Sequence, residues 1–400
     1  MDQNPYIISI ESQAEAERLQ ERLGVAPEGI DIMAPMAVSR LVRVAGLDAR
    51  DANILKQEML AAGGDCALPE DVYDLAGDAA GALVMGTPAQ LMMLAEKLRR
   101  HGPGLYHLAA VLAFSIENYE RGRSRERRLP PALGRQGWQV MGILNVTPDS
   151  FHDGGSYEDP GAALRQAEAM VAAGAGVIDI GGESTRPGSG PVSEEEELRR
   201  VLPVVEAVAG LGVPVSIDTS KAAVAREALR LGASMINDIT ALRGDAEMAR
   251  LAARQGCPVC LMHMQGTPAD MQKKPRYRDV VGEITAFLRD RVAWAEAQGI
   301  ARENLVIDPG IGFGKSPEHN LEILNRLDAF LALGLPVMIG ASRKSFLGAV
   351  LENDDSGKRL AATVAATVLA YGKGAQLFRV HDVRENRDAL LVASAVGSEG

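Results

Sequence analysis

From about residue 138 the chain repeats one pattern, a short apolar run followed by a stretch in which apolar positions recur at helical spacing. Eight such runs stand out: Gln139 to Leu144, Val177 to Ile180, Val213 to Ile217, Ser234 to Ile236, Val259 to Met262, Leu305 to Ile307, Val337 to Ile339 and Gln376 to Phe378. Strands alternating with helices predict βα units on a parallel sheet, and eight units between residues 138 and 400 suit the roughly 250 residues of a (β/α)8 barrel. Gly174, Gly210, Gly232, Gly256, Gly299 and Gly334 each stand shortly before a run, where a helix C-cap is expected. Ser193 ahead of Glu194, Glu195, Glu196 and Glu197 has capping-box spacing, so that acidic run reads as a helix start and not as a metal site.

Before the barrel the pattern is different. Asp51 to Ala62 is expected helical, Gly81 to Met85 a strand and Pro88 to Arg100 a second helix, giving a small α/β domain over residues 1–118 with no role legible in it. Residues 119–137 are charge-rich and contain Pro130, Pro131 and Gly134, so they are expected to form a linker that buries little surface.

Composition narrows the classes. A net charge of −11 opposes a general nucleic-acid coat, which needs a basic face. The first residues lack a basic stretch followed by an apolar run, and no later segment approaches ~18 uninterrupted apolar residues, so a soluble cytoplasmic protein without membrane contact is expected. Cys66, Cys257 and Cys260 are too few and too scattered for a disulfide framework. Cys257 and Cys260 have metal or redox spacing, but with no second pair and an apolar strand around them they read as core.

In such a barrel the chemistry lies at the C-terminal ends of the strands. The residues there are Asn145, Asp179 with Glu183, Asp218, Asn237 with Asp238, His263, Asp308, Ser342 with Arg343 and Lys344, and Arg379 with His381. A polar group at every end points to one convergent site. Asp218, Asn237 and Asp308 suit a flat heterocycle with amide and amidine edges, and Lys344, Arg379 and His381 on the last two strands suit an anion. Together they indicate a nucleotide-like or diphosphorylated small molecule. His263 reads as a wall residue. The segment after the sixth run that ends in Gly314-Lys315-Ser316 fails the phosphate-loop pattern, because Pro309 stands where its first glycine is required.

The segments MGILNVTPDSFHDGG (Met141 to Gly155) and IDIGGESTRPG (Ile178 to Gly188) resemble the two signatures of dihydropteroate synthases. The resemblance continues through SIDTSK, INDIT, LMHMQG, IDPGIGFGK, GASRKSF and FRVHDV, covers the whole barrel and leaves residues 1 to about 135 aside. It implies condensation of 6-hydroxymethyl-7,8-dihydropterin diphosphate with 4-aminobenzoate, a homodimer, and Mg²⁺ bridging Asn145 and phosphate oxygens. The positions it implies for the pterin are Asp218, Asn237, Asp308, Lys344 and Met262. For the diphosphate they are Asn145, Thr185, Arg379 and His381, and for 4-aminobenzoate Phe151, Thr185, Arg186, Pro187, Phe313 and Ser342. Lys344, Arg379, His381 and Asp149 would carry the catalytic roles, with the loops Thr147 to Ser156 and Ser184 to Pro191 closing over the substrates. His152 departs from the small residue expected in the first signature. Two alternatives stay open: a pterin-binding methyltransferase acting on a corrinoid protein, which needs no diphosphate site, and a non-catalytic pterin sensor.

Overall fold

The computed structural model describes residues 6–72, 80–124, 128–134, 137–147, 160–184, 190 and 192–399. The chain divides into two compact units, Met1–Glu126 and Arg127–Gly400. The first begins with two helices, α1 (Gln13–Arg22) and α2 (Pro27–Met33). It continues with β1 (Arg40–Leu47), α3 (Ala49–Ala61), β2 (Asp65–Ala67), β3 (Ala80–Gly86), α4 (Pro88–Leu98) and α5 (Pro103–Arg123). The strands form an antiparallel sheet in the order β1-β3-β2. Leu55 and Met59 of α3, Leu91, Leu94 and Leu98 of α4, and Leu105 and Leu112 of α5 pack with Val44, Cys66 and Val84 in one core. The expected helices and strand are present, whereas α1, α2, β1, β2 and α5 have no counterpart in the sequence expectations.

Helix α5 runs to Arg123, into the charged stretch expected as linker. Glu and Arg are good helix formers, so charge alone does not end a helix; the prolines at 130 and 131 lie beyond it.

The second unit is an eight-stranded parallel sheet in the order β10-β11-β4-β5-β6-β7-β8-β9. In chain order these are β4 (Gln139–Asn145), α6 (Pro160–Ala172), β5 (Val177–Gly181), α7 (Glu194–Ala209), β6 (Val215–Asp218), α8 (Ala222–Arg230), β7 (Met235–Asp238) and α9 (Met248–Gln255). They continue with β8 (Val259–Met262), α10 (Val280–Ala297), β9 (Leu305–Asp308), α11 (Pro317–Asn325), β10 (Met338–Ile339), α12 (Ser345–Leu351), α13 (Leu360–Gly372), β11 (Leu377–Val380) and α14 (Val383–Glu399). A parallel bridge between Ile307 and Val337 joins β9 to the start of β10 and closes the ring. This is the expected (β/α)8 TIM barrel. Ser193 caps α7 by accepting from the Glu196 N–H, while the Glu196 carboxylate turns to Arg199 and Arg200, so only half of a capping box forms.

The floor of the barrel is apolar. Met141, Val177, Met235, Cys260, Val306, Met338 and Leu377 form a layer across the lumen, and Leu129 and Leu133 pack against it. Leu133, in a short 3-10 turn (Pro131–Leu133), is fully buried. The stretch expected to bury little therefore supplies two core side chains. Its prolines set the turn that delivers them, and a charge-rich average hides two leucines at the right spacing.

Candidate functional site

A strand's side chains repeat on one face every second residue, so the layer above the floor is reached by one pleat step along each strand, roughly 6.6 Å. That step leads from Val177 to Asp179, from Met235 to Asn237, from Val306 to Asp308 and from Leu377 to Arg379. The apolar floor gives way to an ionic layer at the C-terminal mouth, where a barrel's chemistry belongs.

Arg379 ties this layer together. Its Nε donates to Asp179 Oδ2 at 2.6 Å and its Nη2 to Asp218 Oδ2 at 2.7 Å. Asn237 Nδ2 donates to the same Asp179 oxygen at 3.1 Å. Burial works against the charge on Arg379, but the carboxylates of Asp179 and Asp218 outweigh it and hold the guanidinium above its usual range. Burial pushes Asp218 up, against the pull of Arg379 and helped by the nearby carboxylates of Asp179, Glu197 and Asp238.

The other side of the mouth is built by the segment after β9. Asp308 Oδ1 accepts from the Gly310 N–H at 2.7 Å, and burial raises its pKa despite that bond and the cations Lys344, Lys315 and Arg379. Gly310 has φ +71°, and a Cβ there would stand 1.9 Å from the His263 carbonyl oxygen, so only glycine lets the chain wrap this closely. Gly312, at φ +82°, likewise leaves room for the Lys344 stem. Lys344 Nζ lies 4.0 Å from the centre of the Phe313 ring, a cation–π contact. Burial, then the charge of Arg379, brings this ammonium down to about 8, with Asp308 and Asp218 pulling upward. Met262 packs with Met264, Met271 and Phe313 in one apolar cluster beside them.

Ser342 and His381 form a pair, with Oγ and Nδ1 2.9 Å apart and the His381 N–H donating to Oγ at 3.1 Å. Arg343, between Ser342 and Lys344, has φ +56° and is held there by a bidentate pair with Asp382 and by its own N–H donating to Thr363 Oγ1. Asn145 stands half-buried at the end of β4, beside Gly181 in register. Thus Arg379 joins Asp179 to Asp218, Asp179 also holds Asn237, Lys344 lies over Phe313, and Ser342 meets His381. Asp149, Phe151, Thr185, Arg186 and Pro187, together with His152 and most of both expected loops, lie outside the described residues.

Three features went unassigned in the sequence. Asp179 reads in the sequence only as a strand end, yet it holds both Asn237 and Arg379. Lys315 is buried with Nζ 2.9 Å from Phe313 O, 3.3 Å from His263 O and 3.0 Å from His263 Nδ1. Burial draws it down to about 7, while three acceptors matching the hydrogens of an ammonium favour the charged form. His263 is pushed by burial and by Lys315 down to about 3, a neutral wall residue as expected. A cavity of about 260 Å³ opens beside Lys315, lined also by Gln272, Lys274, Ser345 and Phe346. Lys221 donates to Glu183, just after β5, at 2.5 Å and to the buried Glu197 in the first turn of α7, bracing both elements. Cys257 and Cys260 are free and buried, Cys260 in the barrel floor, which agrees with the core reading.

Residues 141–381 match the family model described as pterin binding enzyme. The dihydropteroate synthase of Escherichia coli K12 is 49% identical over 257 residues, 64% of this chain and 90% of that protein. A solved dihydropteroate synthase from Xanthomonas albilineans with 4-aminobenzoic acid superposes with a TM-score of 0.62 at 46% identity, over 65% of this chain and 93% of that one. A probable bifunctional folylpolyglutamate synthase/dihydropteroate synthase of Haloferax volcanii is 44% identical over 369 residues, 90% of this chain but 43% of that protein. That alignment is longer than the barrel unit and so extends into the N-terminal unit, while the chain spans less than half the length of this relative. With the family model matched across its barrel and nearly the full length of the Escherichia coli protein aligned, the chain belongs to the dihydropteroate synthase family of pterin-binding enzymes.

Proposed function

We propose that the chain is a dihydropteroate synthase, joining 6-hydroxymethyl-7,8-dihydropterin diphosphate to 4-aminobenzoate with release of diphosphate. The observation that carries this reading is one mouth holding both kinds of recognition. Asn237 and Asp308 offer buried acceptors and Asp218 a half-buried one to a donor-rich heterocycle, and Lys344, Arg379 and the Ser342–His381 pair provide positive charge and hydrogen-bond donors for an anionic leaving group. A methyltransferase would have no use for the second set.

In the reaction the arylamine nitrogen attacks the pterin's exocyclic methylene, the bond from that carbon to the diphosphate oxygen breaks, and the amine proton is lost to solvent. No enzymic nucleophile is needed. The barrier falls as the departing charge is met by fixed donors, the role of Arg379 and His381, while Asp218, Asn237 and Asp308 hold the ring in line. Phe313, with Lys344 over its ring, would wall one side of the 4-aminobenzoate pocket, to which Phe151, Thr185, Arg186 and Pro187, outside the described residues, are also assigned. Ser342, whose hydroxyl is engaged with His381, is assigned to the same 4-aminobenzoate pocket. Asp149 is assigned to ordering the first loop.

Asn145 suits Mg²⁺, which keeps most of its ligands as water and phosphate and needs few from the protein. Among the described residues no group of three or more acidic, His or Cys side chains competes as a metal cage. The ion would neutralise diphosphate charge. A homodimer is supported by large apolar side chains left exposed on the outer helices, Leu369 of α13 and Val392 and Val396 of α14. Three free thiols suit a reducing compartment such as the cytoplasm.

The test is diphosphate release by the purified protein from the pterin diphosphate, with and without 4-aminobenzoate and Mg²⁺. Release that requires all three, with an equal amount of dihydropteroate formed, supports the synthase. Tight pterin binding without turnover refutes it in favour of a sensor, and methyl transfer to a corrinoid protein refutes it in favour of the methyltransferase.

A further inference from the structure

Asp179 is a fully buried carboxylate in the ionic layer, and its place is not explained by either substrate alone. A single oxygen, Oδ2, accepts from Arg379 Nε at 2.6 Å and from Asn237 Nδ2 at 3.1 Å, joining β11 to β7 across the lumen through β5. We infer that Asp179 is a positioning residue of the synthase site: it fixes the amide of Asn237 and the guanidinium of Arg379, and through them the recognition of both halves of the pterin diphosphate. This rests on the synthase reading above.

The first consequence concerns Asn237. An amide is a donor at one end and an acceptor at the other, and a 180° flip exchanges them. With Nδ2 committed to a carboxylate, the flipped arrangement would set Oδ1 against Asp179 Oδ2, two acceptors face to face. Asn237 therefore turns Oδ1 away from Asp179 as an acceptor, beside its register neighbour Asp218, with the second Nδ2 hydrogen left as a donor. Asp179 thereby fixes which end of the amide accepts and which donates, as recognition of a ring edge with both N–H groups and ring nitrogens requires.

The second concerns Arg379. Its two charge-assisted bonds differ in depth, since the Asp179 side chain is 0% exposed and that of Asp218 is 14% exposed. A heterocycle that donates to Asp218 competes with the Nη2 contact and leaves the Nε contact in place. Held by Nε, the guanidinium keeps its position as Nη2 is released to the diphosphate. Binding of the ring at Asp218 and of the anion at Arg379 then favour each other, with Asp179 as the fixed point.

The experiment titrates the full chain with two separate probes, 6-hydroxymethylpterin and inorganic diphosphate with Mg²⁺, alone and together. In the unsubstituted protein each probe should tighten the other about fivefold. Asp179→Asn should weaken both about tenfold, abolish their mutual effect and raise the KM for pterin diphosphate much more than that for 4-aminobenzoate. In an Asn237→Ala background the same change should cost pterin affinity less than twofold, because the amide it orients is gone. Ser216→Ala, in register with Asp179 but outside these contacts, should leave all affinities within twofold. Full additivity of Asp179→Asn with Asn237→Ala, or unchanged affinity for both probes, overturns the proposal. Should Asp179→Asn not fold, Arg379→Lys decides, since it keeps the charge but lacks Nε; undiminished diphosphate affinity in that variant overturns it. An unsubstituted protein that binds neither probe sinks the synthase reading itself, an outcome distinct from binding that ignores Asp179.

Discussion

The two ends of the barrel are built from the same strands one pleat step apart, and they do opposite things. At the floor, Val177, Met235, Val306 and Leu377 close the lumen with Leu129 and Leu133 beneath them. One step on, Asp179, Asn237, Asp308 and Arg379 fill it with charges and hydrogen bonds. Burying apolar surface is favourable at roughly 25 cal/mol per Å², whereas a buried ion pair must first offset the desolvation of both partners. The floor should therefore stabilise the fold and tolerate loss of chemistry, while the mouth should serve chemistry at a cost in stability.

The sharpest way to break that comparison is Arg379→Met. Turnover should fall by about 10²–10³-fold as the leaving group loses a charge-assisted partner. Stability should also fall, by about 3–5 kcal/mol, because Asp179 is left charged and unpaired in a buried position. Adding Asp179→Leu should then return the barrel's urea midpoint to the unsubstituted value or above it, with activity still absent. A double variant as unstable as the single one would mean that the ionic layer holds the barrel together after all.

At the other end, Leu133→Ala should cost about 2–5 kcal/mol in the barrel's unfolding transition through the cavity it leaves. Steady-state kinetics at a temperature where the variant is folded should show kcat and both KM values within twofold. A tenfold loss of kcat would show that the floor is coupled to the mouth.

Asp308→Asn separates recognition from stability within the mouth. Placing a donor where the ring needs an acceptor should raise the pterin diphosphate KM about tenfold, ~1.4 kcal/mol. Burial raises the folded pKa of Asp308, so the folded state holds its proton to higher pH than the unfolded chain, and stability falls as pH rises through that interval. At neutral pH the asparagine removes this penalty, and the variant should melt no lower than the parent. A lower melting temperature would place Asp308 with the floor.

The strand-end rule made Asp218, Asn237, Asp308, Lys344 and Arg379 legible, because periodicity locates each run and the barrel dictates which end works. The runs stopped short at Ile217, Ile236 and Ile307, while the strands extend to Asp218, Asp238 and Asp308. A hydrophobicity pattern cannot see ladder bonds that continue under a polar residue. The role of Asp179 was illegible for a related reason: its partners, Asn237 and Arg379, lie on other strands, and only the closed ring brings them within hydrogen-bond distance. In the N-terminal unit, β1 was missed because Arg40, Arg43 and Gly46 interrupt its alternation. Leu129 and Leu133 were missed because their partners are the far ends of strands that come later in the chain.

The smallest effect, and the most diagnostic of the mouth's character, is the pH response of Lys344. Burial and Arg379 set its folded pKa at about 8, against 10.5 for an ordinary lysine. If the ammonium over Phe313 is the working form, kcat/KM should fall two- to fivefold as pH rises from about 7.5 to about 8.5. Stability should move the other way. Between those two pKa values the unfolded chain keeps a proton that the folded protein releases, so this residue's contribution to stability rises with pH across that window. Opposite slopes of activity and of the barrel's urea midpoint, both removed by Lys344→Met, would mark a group whose charge serves the reaction against the preference of its surroundings. Parallel slopes would assign the limb to general unfolding and leave Lys344 as wall packing beside Phe313.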